Sequence, residues 1–306
     1  MNGAPIVSAM NDQAETSSDQ LLGFTLPARD ARGRVVRLDN VLDEILSAHD
    51  YPAAITHLLA EALVLAALIG GLVKDDAGQL TMQAQTEDGV VRLLVCDYRA
   101  GKLRGYVDFD RDRLNELGAN PPLSALFGKG YLALTFDMDG DKGRYQGIVP
   151  LEGETLSAAC EAYFMQSEQV PTLIRVGAIH DANGCVAGGL LVQHLPDAED
   201  GRERLHARPD YPEWDHVSIL TDTIRHDELV DRSLSMEALV WRLFHEEDEI
   251  RVVPGAILGR GCRCSAEHYS SVIGRFPEAE RAEMRDEDGA IKVDCAFCSK
   301  IFAITA

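Results

Sequence analysis

Four cysteines near the C-terminus, Cys262, Cys264, Cys295 and Cys298, form a C-x-C pair and a C-x-x-C pair separated by thirty residues. No other feature of the chain limits its folding so tightly. Two close pairs brought together present four thiolates, which suits tetrahedral zinc, and a closed all-sulfur set needs no redox activity from the ion. The reading is one Zn2+ per chain held by these four residues. His268 stands four residues beyond Cys264, but the paired spacing favours the fourth thiolate over it. Within 251–306, large apolar residues beyond the first apolar stretch are few: Val272, Ile273, Phe276, Met284, Ile291, Val293, Phe297, Ile301, Phe302 and Ile304. A core that small rarely yields more than roughly 3–5 kcal/mol, whereas a structural zinc contributes an apparent ~10–16 kcal/mol. Loss of the metal should therefore unfold this zone, and so should any oxidant that converts the thiolates to disulfides. Neighbouring cysteines ease that oxidation, because a sulfenic acid formed on one has a resolving thiol beside it.

The whole chain, 306 residues of which 46% are hydrophobic, is long enough for one sizeable core beside this zone. Its formal net charge of −21 repels phosphate backbones, so neither nucleic acid nor an anionic membrane is an expected partner. Residues 1–20 carry no basic segment followed by a sustained apolar run, so they read as a disordered tail rather than a secretory signal. The most apolar run, 58–73, is interrupted by Glu61. It falls short of the ~20 apolar residues a membrane span needs and reads as a buried core helix. A cytoplasmic protein follows, in which clustered cysteines serve metal binding or redox chemistry rather than a structural disulfide framework.

Between tail and cysteines the texture changes once. Residues 21–195 alternate short strand patterns with segregated helical ones: strands around 24–38, 80–85, 90–97, 103–109, 131–137, 145–150, 172–179 and 188–194, and helices at 41–47, 53–73 and 156–167. That mixture indicates an α+β core domain with antiparallel sheets. Residues 196–250 open on a charged, turn-rich stretch and continue as an acidic helical linker. Asp215 reads as the N-cap of one helix carrying Val217, Leu220 and Ile224. Ser235 reads as the cap of another carrying Met236, Leu239, Val240, Leu243 and Phe244 on one stripe. Such stripes need something to dock on. Residues 251–306 form the metal-binding, redox-switch domain.

Cys96 and Cys160 sit in apolar patterns and read as small core residues, while Cys185, next to a turn, is expected to be exposed. No nucleophile–base pair accompanies the polar Ser167-Glu168-Gln169 cluster, which reads as capping at a helix–strand junction. There is also no G-x-x-x-x-G-K-[ST] phosphate loop. The chain reads as a binding protein, not an enzyme.

C-x-C and C-x-x-C at this separation resemble the C-terminal zinc domain of the heat shock protein 33 family. Tyr163-Phe164-Met165-Gln166-Ser167-Glu168-Gln169-Val170-Pro171-Thr172 resembles that family's Y-F-x-x-S-E-Q-x-P-T segment, and Tyr145-Gln146-Gly147-Ile148-Val149-Pro150-Leu151 resembles another of its strands. Leu103-Arg104-Gly105-Tyr106 and Leu243-Phe244-His245-Glu246-Glu247 match further segments. Gly261 before Cys262 and His268 after Glu267 depart from the pattern without touching the cysteines. The resemblance implies a redox-regulated, ATP-independent holdase chaperone. It implies disulfides Cys262–Cys264 and Cys295–Cys298 on oxidation, zinc release, and a linker that the folded zinc domain had held against the core. It also implies unfolded proteins as clients and a homodimer in the active state. A thiol–disulfide oxidoreductase using Cys295 and Cys298 is the alternative, but the βαβ setting of that motif is missing. A zinc-ribbon nucleic-acid binder is disfavoured by Glu278, Glu280, Glu283, Asp286, Glu287 and Asp288.

Overall fold

The computed structural model describes residues 18–73, 78–138, 143–181, 184–195 and 212–304. Most of the expected tail, the charged opening of the linker at 196–211 and the turn at 139–141 lie outside them. In chain order the elements are β1 (Gln20–Leu26), β2 (Ala31–Leu38), α1 (Asn40–Leu46), α2 (Ala53–Gly70), β3 (Gln79–Thr86), β4 (Val91–Arg99), β5 (Lys102–Phe109), α3 (Arg111–Glu116), α4 (Leu123–Phe127), β6 (Gly130–Asp137), β7 (Arg144–Pro150), α5 (Leu156–Tyr163), β8 (Thr172–Asp181), β9 (Gly184–His194), α6 (Pro212–Asp222), α7 (His226–Val230), α8 (Met236–Phe244), β10 (Arg251–Ile257), β11 (Gly259–Arg260), α9 (Ala266–Ile273), α10 (Glu278–Met284), β12 (Ile291–Asp294) and β13 (Ile301–Ile304). The tail expectation fails at its end. Asp19 is buried, and its carboxylate accepts the N–H groups of Asp39, Asn40 and Val41 at 2.8–3.2 Å, closing the start of α1 from outside the helix.

Apart from a strip at His57 and Glu61, apolar residues surround α2, and a helix of that kind must be enclosed. It meets β2, β8 and β9 on one side and β3, β4 and β5 on the other. By length and composition it could cross a membrane, yet 78% of it is buried inside this fold. The two sheets that enclose it have strand orders β10-β1-β2-β9-β8 and β11-β5-β4-β3-β6-β7. All pairings are antiparallel except β11 with β5. Close approach needs a bare backbone at Gly189, where a Cβ would stand 2.5 Å from Val64 and 2.9 Å from Leu68 of α2. Gly189→Ala should therefore cost ~1–3 kcal/mol through overpacking, seen as a lower urea midpoint with an unchanged slope.

The linker helices cover the outer face of the five-stranded sheet. Val217, Leu229, Met236, Leu239, Val240 and Phe244 close a second apolar cluster with Leu22, Phe24, Leu26, Val35, Leu190 and Val192. Phe24 and Phe244 set their ring centroids 5.6 Å apart. This is why β9 is buried on both faces almost throughout. Polar hooks add to the seam. Arg37, almost fully buried, donates to the carbonyls of Leu229 and Leu234 at 3.0 and 2.6 Å. Arg232 forks onto Asp39 at 2.6 and 2.8 Å. Glu247 joins Arg29 at 2.8 Å and His216 at 2.7 Å. Burial alone would raise the Glu247 carboxyl, but its bonds to Arg29 and His216 prevail and hold it below the usual range. The sheet itself thus covers the linker's stripes.

Ser235 caps α8, accepting the Ala238 N–H at 3.1 Å, but Asp215 is not an N-cap. The helix begins at Pro212, whose fixed φ suits a first turn, and Asp215 lies inside that turn, where its charge faces the positive helix end. Residues 251–260, read as the opening of the metal zone, are edge strands of the two large sheets. β10 runs antiparallel to β1, with Val252 opposite Phe24, and β11 lies beside Lys102 and Leu103.

Candidate metal centre

The C-x-C pair is pinned at both ends. Before it, the Gly261 N–H donates to the Leu103 carbonyl at 2.8 Å. After it, Ser265 caps α9 by accepting the His268 N–H at 3.1 Å. The C-x-x-C pair fills the turn between β12 and β13, whose last register pair is Asp294 with Ile301. Cys295 N–H donates to the Lys300 carbonyl at 3.0 Å, and the Cys295 carbonyl accepts from Cys298 and Ser299 at 3.1 and 2.8 Å. Ser299 closes this turn with φ of 53°.

These two turns bring the four sulfurs within 4.8 Å of one another. Cys262 Sγ lies 3.3 Å from Cys264 and 3.6 Å from Cys295, and Cys264 Sγ lies 3.5 Å from Cys298. A disulfide would need ~2.05 Å, whereas ligands at ~2.3 Å around a tetrahedral ion stand ~3.8 Å apart. The separations fit a shared metal and not a bond. Burial would push the Cys295 thiol up, but hydrogen bonds from the Tyr269 hydroxyl, the Phe297 N–H and the thiols of Cys262 and Cys298 outweigh it and bring it down to about 7. Cys264 is driven well upward by burial and its sulfur neighbours. His268 stands outside the sulfur cluster, its ring against Tyr269 with centroids 5.6 Å apart.

Around this centre, among the described residues, only Ile273, Ile291 and Ile304 form a buried apolar nucleus, with Tyr269, Val293 and Phe302 half-buried against it. Val272, Phe276, Met284 and Ile301, counted above among the apolar residues of this zone, are exposed. The lobe has less core than its composition suggests.

A family model described as Hsp33 protein matches residues 19–305. The chain belongs to the Hsp33 family. It is 41% identical over 294 residues to the 33 kDa chaperonin of Caulobacter vibrioides, covering 94% of each chain. It is 32% identical over 292 residues to the 33 kDa chaperonin of Yersinia pestis, covering 95% of this chain and 94% of the relative. The fold matches the crystal structure of the 33 kDa chaperonin (heat shock protein 33 homolog) of Thermotoga maritima with a TM-score of 0.76 at 20% identity, over 94% of each chain.

In this Hsp33 chain the other three cysteines stay away from the centre. Cys96 and Cys160 are fully buried, as expected, and burial raises both thiols. Cys185 is only 2% exposed, contrary to the turn-based expectation. Asp43 of α1 accepts its backbone N–H at 3.1 Å, drawing the strand start under that helix, and burial pushes the thiol up to about 11. The Ser167-Glu168-Gln169 cluster closes the C-terminal end of the α5 segment. A π-helical turn (Phe164–Glu168) follows α5, Glu168 accepts the Tyr163 hydroxyl at 2.8 Å, and Gln169 ends the turn with φ of 56°.

One contact set could not be read from the sequence. Asp97 on β4, 4% exposed, accepts from Thr81 Oγ1 at 2.7 Å, Arg104 Nε at 2.7 Å and Arg263 Nη2 at 3.0 Å. Arg263 is the central residue of C-x-C, and its Nη1 also donates to Gln79 at 2.5 Å. Phe297 of C-x-x-C lies under the Arg104 guanidinium at 4.0 Å and meets Tyr106 edge-on at 4.9 Å. The lobe is therefore seated on the six-stranded sheet, while the linker is seated on the five-stranded one.

Proposed function

We propose that this chain is an ATP-independent, redox-regulated holdase chaperone of the cytoplasm, with one zinc per chain on Cys262, Cys264, Cys295 and Cys298. The observation that carries the reading is the convergence of four thiols in a lobe with three buried aliphatic side chains, together with relatives named 33 kDa chaperonin. Zinc would supply the cross-link that keeps the lobe folded, and the chain's thiolates do the rest. One thiolate of each pair attacks a peroxide, giving a sulfenic acid and hydroxide. Its partner thiolate then displaces a second hydroxide as the disulfide forms. The pairings are Cys262–Cys264 and Cys295–Cys298. The lobe loses its metal, the linker loosens, and the apolar face around Leu22, Phe24, Leu190 and Val192 meets unfolded clients, with a homodimer as the active form. The oxidoreductase alternative is weakened by Cys295, the first thiol of its C-x-x-C, which is 3% exposed and lies 3.6 Å from Cys262 of its own chain.

The test is aggregation of a chemically denatured protein, followed by light scattering, with reduced zinc-loaded chain in one sample and peroxide-treated chain in the other. Suppression only after oxidation supports the reading. Equal suppression in both, or catalytic turnover of a dithiol substrate, overturns it.

A further inference from the structure

We propose that Asp97 is the receptor through which the core registers whether the two cysteine pairs are joined, an inference that rests on the zinc reading above. The cross-strand row Arg104–Asp97–Thr81 is fixed by register on β5, β4 and β3. One buried carboxylate in that row holds both knuckles of the lobe. It binds Arg263 of C-x-C directly and Phe297 of C-x-x-C through Arg104. Arg263 and Phe297 lie between the paired cysteines and belong to segments far apart along the chain. Both face the sheet together only when the four sulfurs converge. With the pairs apart, seating each knuckle costs separate ordering of a flexible segment. Asp97 also keeps two guanidinium groups side by side that would otherwise repel. The site therefore favours the joined lobe, and by thermodynamic reciprocity the joined lobe's metal is held more tightly when the site is intact. Asp97 touches no sulfur, so this contribution to metal affinity acts at a distance.

The experiment measures zinc affinity of the full chain by competition with a chromogenic chelator, and hydrogen exchange of the Gly259 and Gly261 amides, which donate to the Gly101 and Leu103 carbonyls. Asp97→Asn and Phe297→Ala should each lower zinc affinity, by about 5- to 150-fold, and speed exchange at those two amides while α2 stays protected. Arg263→Leu combined with Asp97→Asn should lose less than the sum of the two single variants, because both remove the Arg263–Asp97 contact. Asp108→Asn, on the same sheet but paired with exposed Arg92 at 2.7 Å, should change neither readout. Should Asp97→Asn fail to fold, Phe297→Ala carries the test, since it leaves the buried row intact. Unchanged zinc affinity in the folded variants, or fully additive losses in the double variant, overturns the inference. A wild-type chain that takes up no zinc removes the zinc reading and this inference with it, whereas a zinc-binding wild type with unchanged variants removes this inference alone.

Discussion

Chelating the metal from reduced protein will unfold residues 262–304 and leave the two sheets around α2 standing. Three isoleucines form the buried nucleus of the lobe. Fully burying an aliphatic side chain is worth ~1.5–3 kcal/mol, while ordering the backbone costs ~1–2 kcal/mol per residue. Helix and hairpin hydrogen bonds each add only ~0.5–1.5 kcal/mol net. The lobe therefore depends on the ~10–16 kcal/mol that a structural zinc supplies. Hydrogen exchange is the measurement. Amides of α9, β12 and β13 should lose protection on chelation, and those of α2, β3 and β9 should keep theirs. A lobe that stays protected without metal would mean that its docking on Asp97, Arg104 and Tyr106 suffices to fold it.

Truncating Phe244 will release the linker without any oxidant. The ring is fully buried at the end of α8 and meets Phe24 of β1. Removing a buried phenylalanine side chain costs ~3–5 kcal/mol. The hooks at Arg37, Arg232 and Glu247 are hydrogen bonds and ion pairs worth individually less, and partly exposed pairs are further weakened by solvent. Phe244→Ala should therefore hold unfolded clients while reduced and zinc-loaded, with bound zinc measured in the same sample and linker undocking followed by hydrogen exchange. A variant that keeps its zinc and frees its linker, yet stays inactive until oxidised, would place the client surface inside the lobe.

The sandwich and the sulfur cluster were legible because their signals are local. β3 alternates half-buried Gln79, Thr81, Gln83 and Gln85 with buried Leu80, Met82 and Ala84, as its period-two pattern requires. α2 is an Ala/Leu-rich helix whose polar face shrinks to His57 and Glu61, one turn apart. The paired cysteines carry their geometry in their spacing. Five short helices, α3, α4, α7, α9 and α10, were missed because segments of five to eight residues are too short to show a clear helical period. β10 was misplaced for a different reason. Val252-Val253-Pro254 reads as an apolar run, and the sequence does not say that its partner is β1 at the far end of the chain. An edge strand tolerates Pro254, because it pairs with a neighbour on one side alone. Asp97 was invisible as a site, since its bond to Arg263 spans 166 positions and neither residue is unusual in its own segment.

The chain's route between lobe and linker has a mechanical meaning. α8 ends at Phe244, the first sulfur follows at Cys262, and residues 251–260 between them are stitched to the edges of both sheets. Lobe and linker are therefore not joined by a free cord: the chain between them is anchored twice, by β11 beside β5 and by β10 beside β1, and β1 is the strand that carries Phe24 to Phe244. If the linker opens after the lobe, as the proposed switch requires, an edge strand with no chemistry of its own stands between the two events.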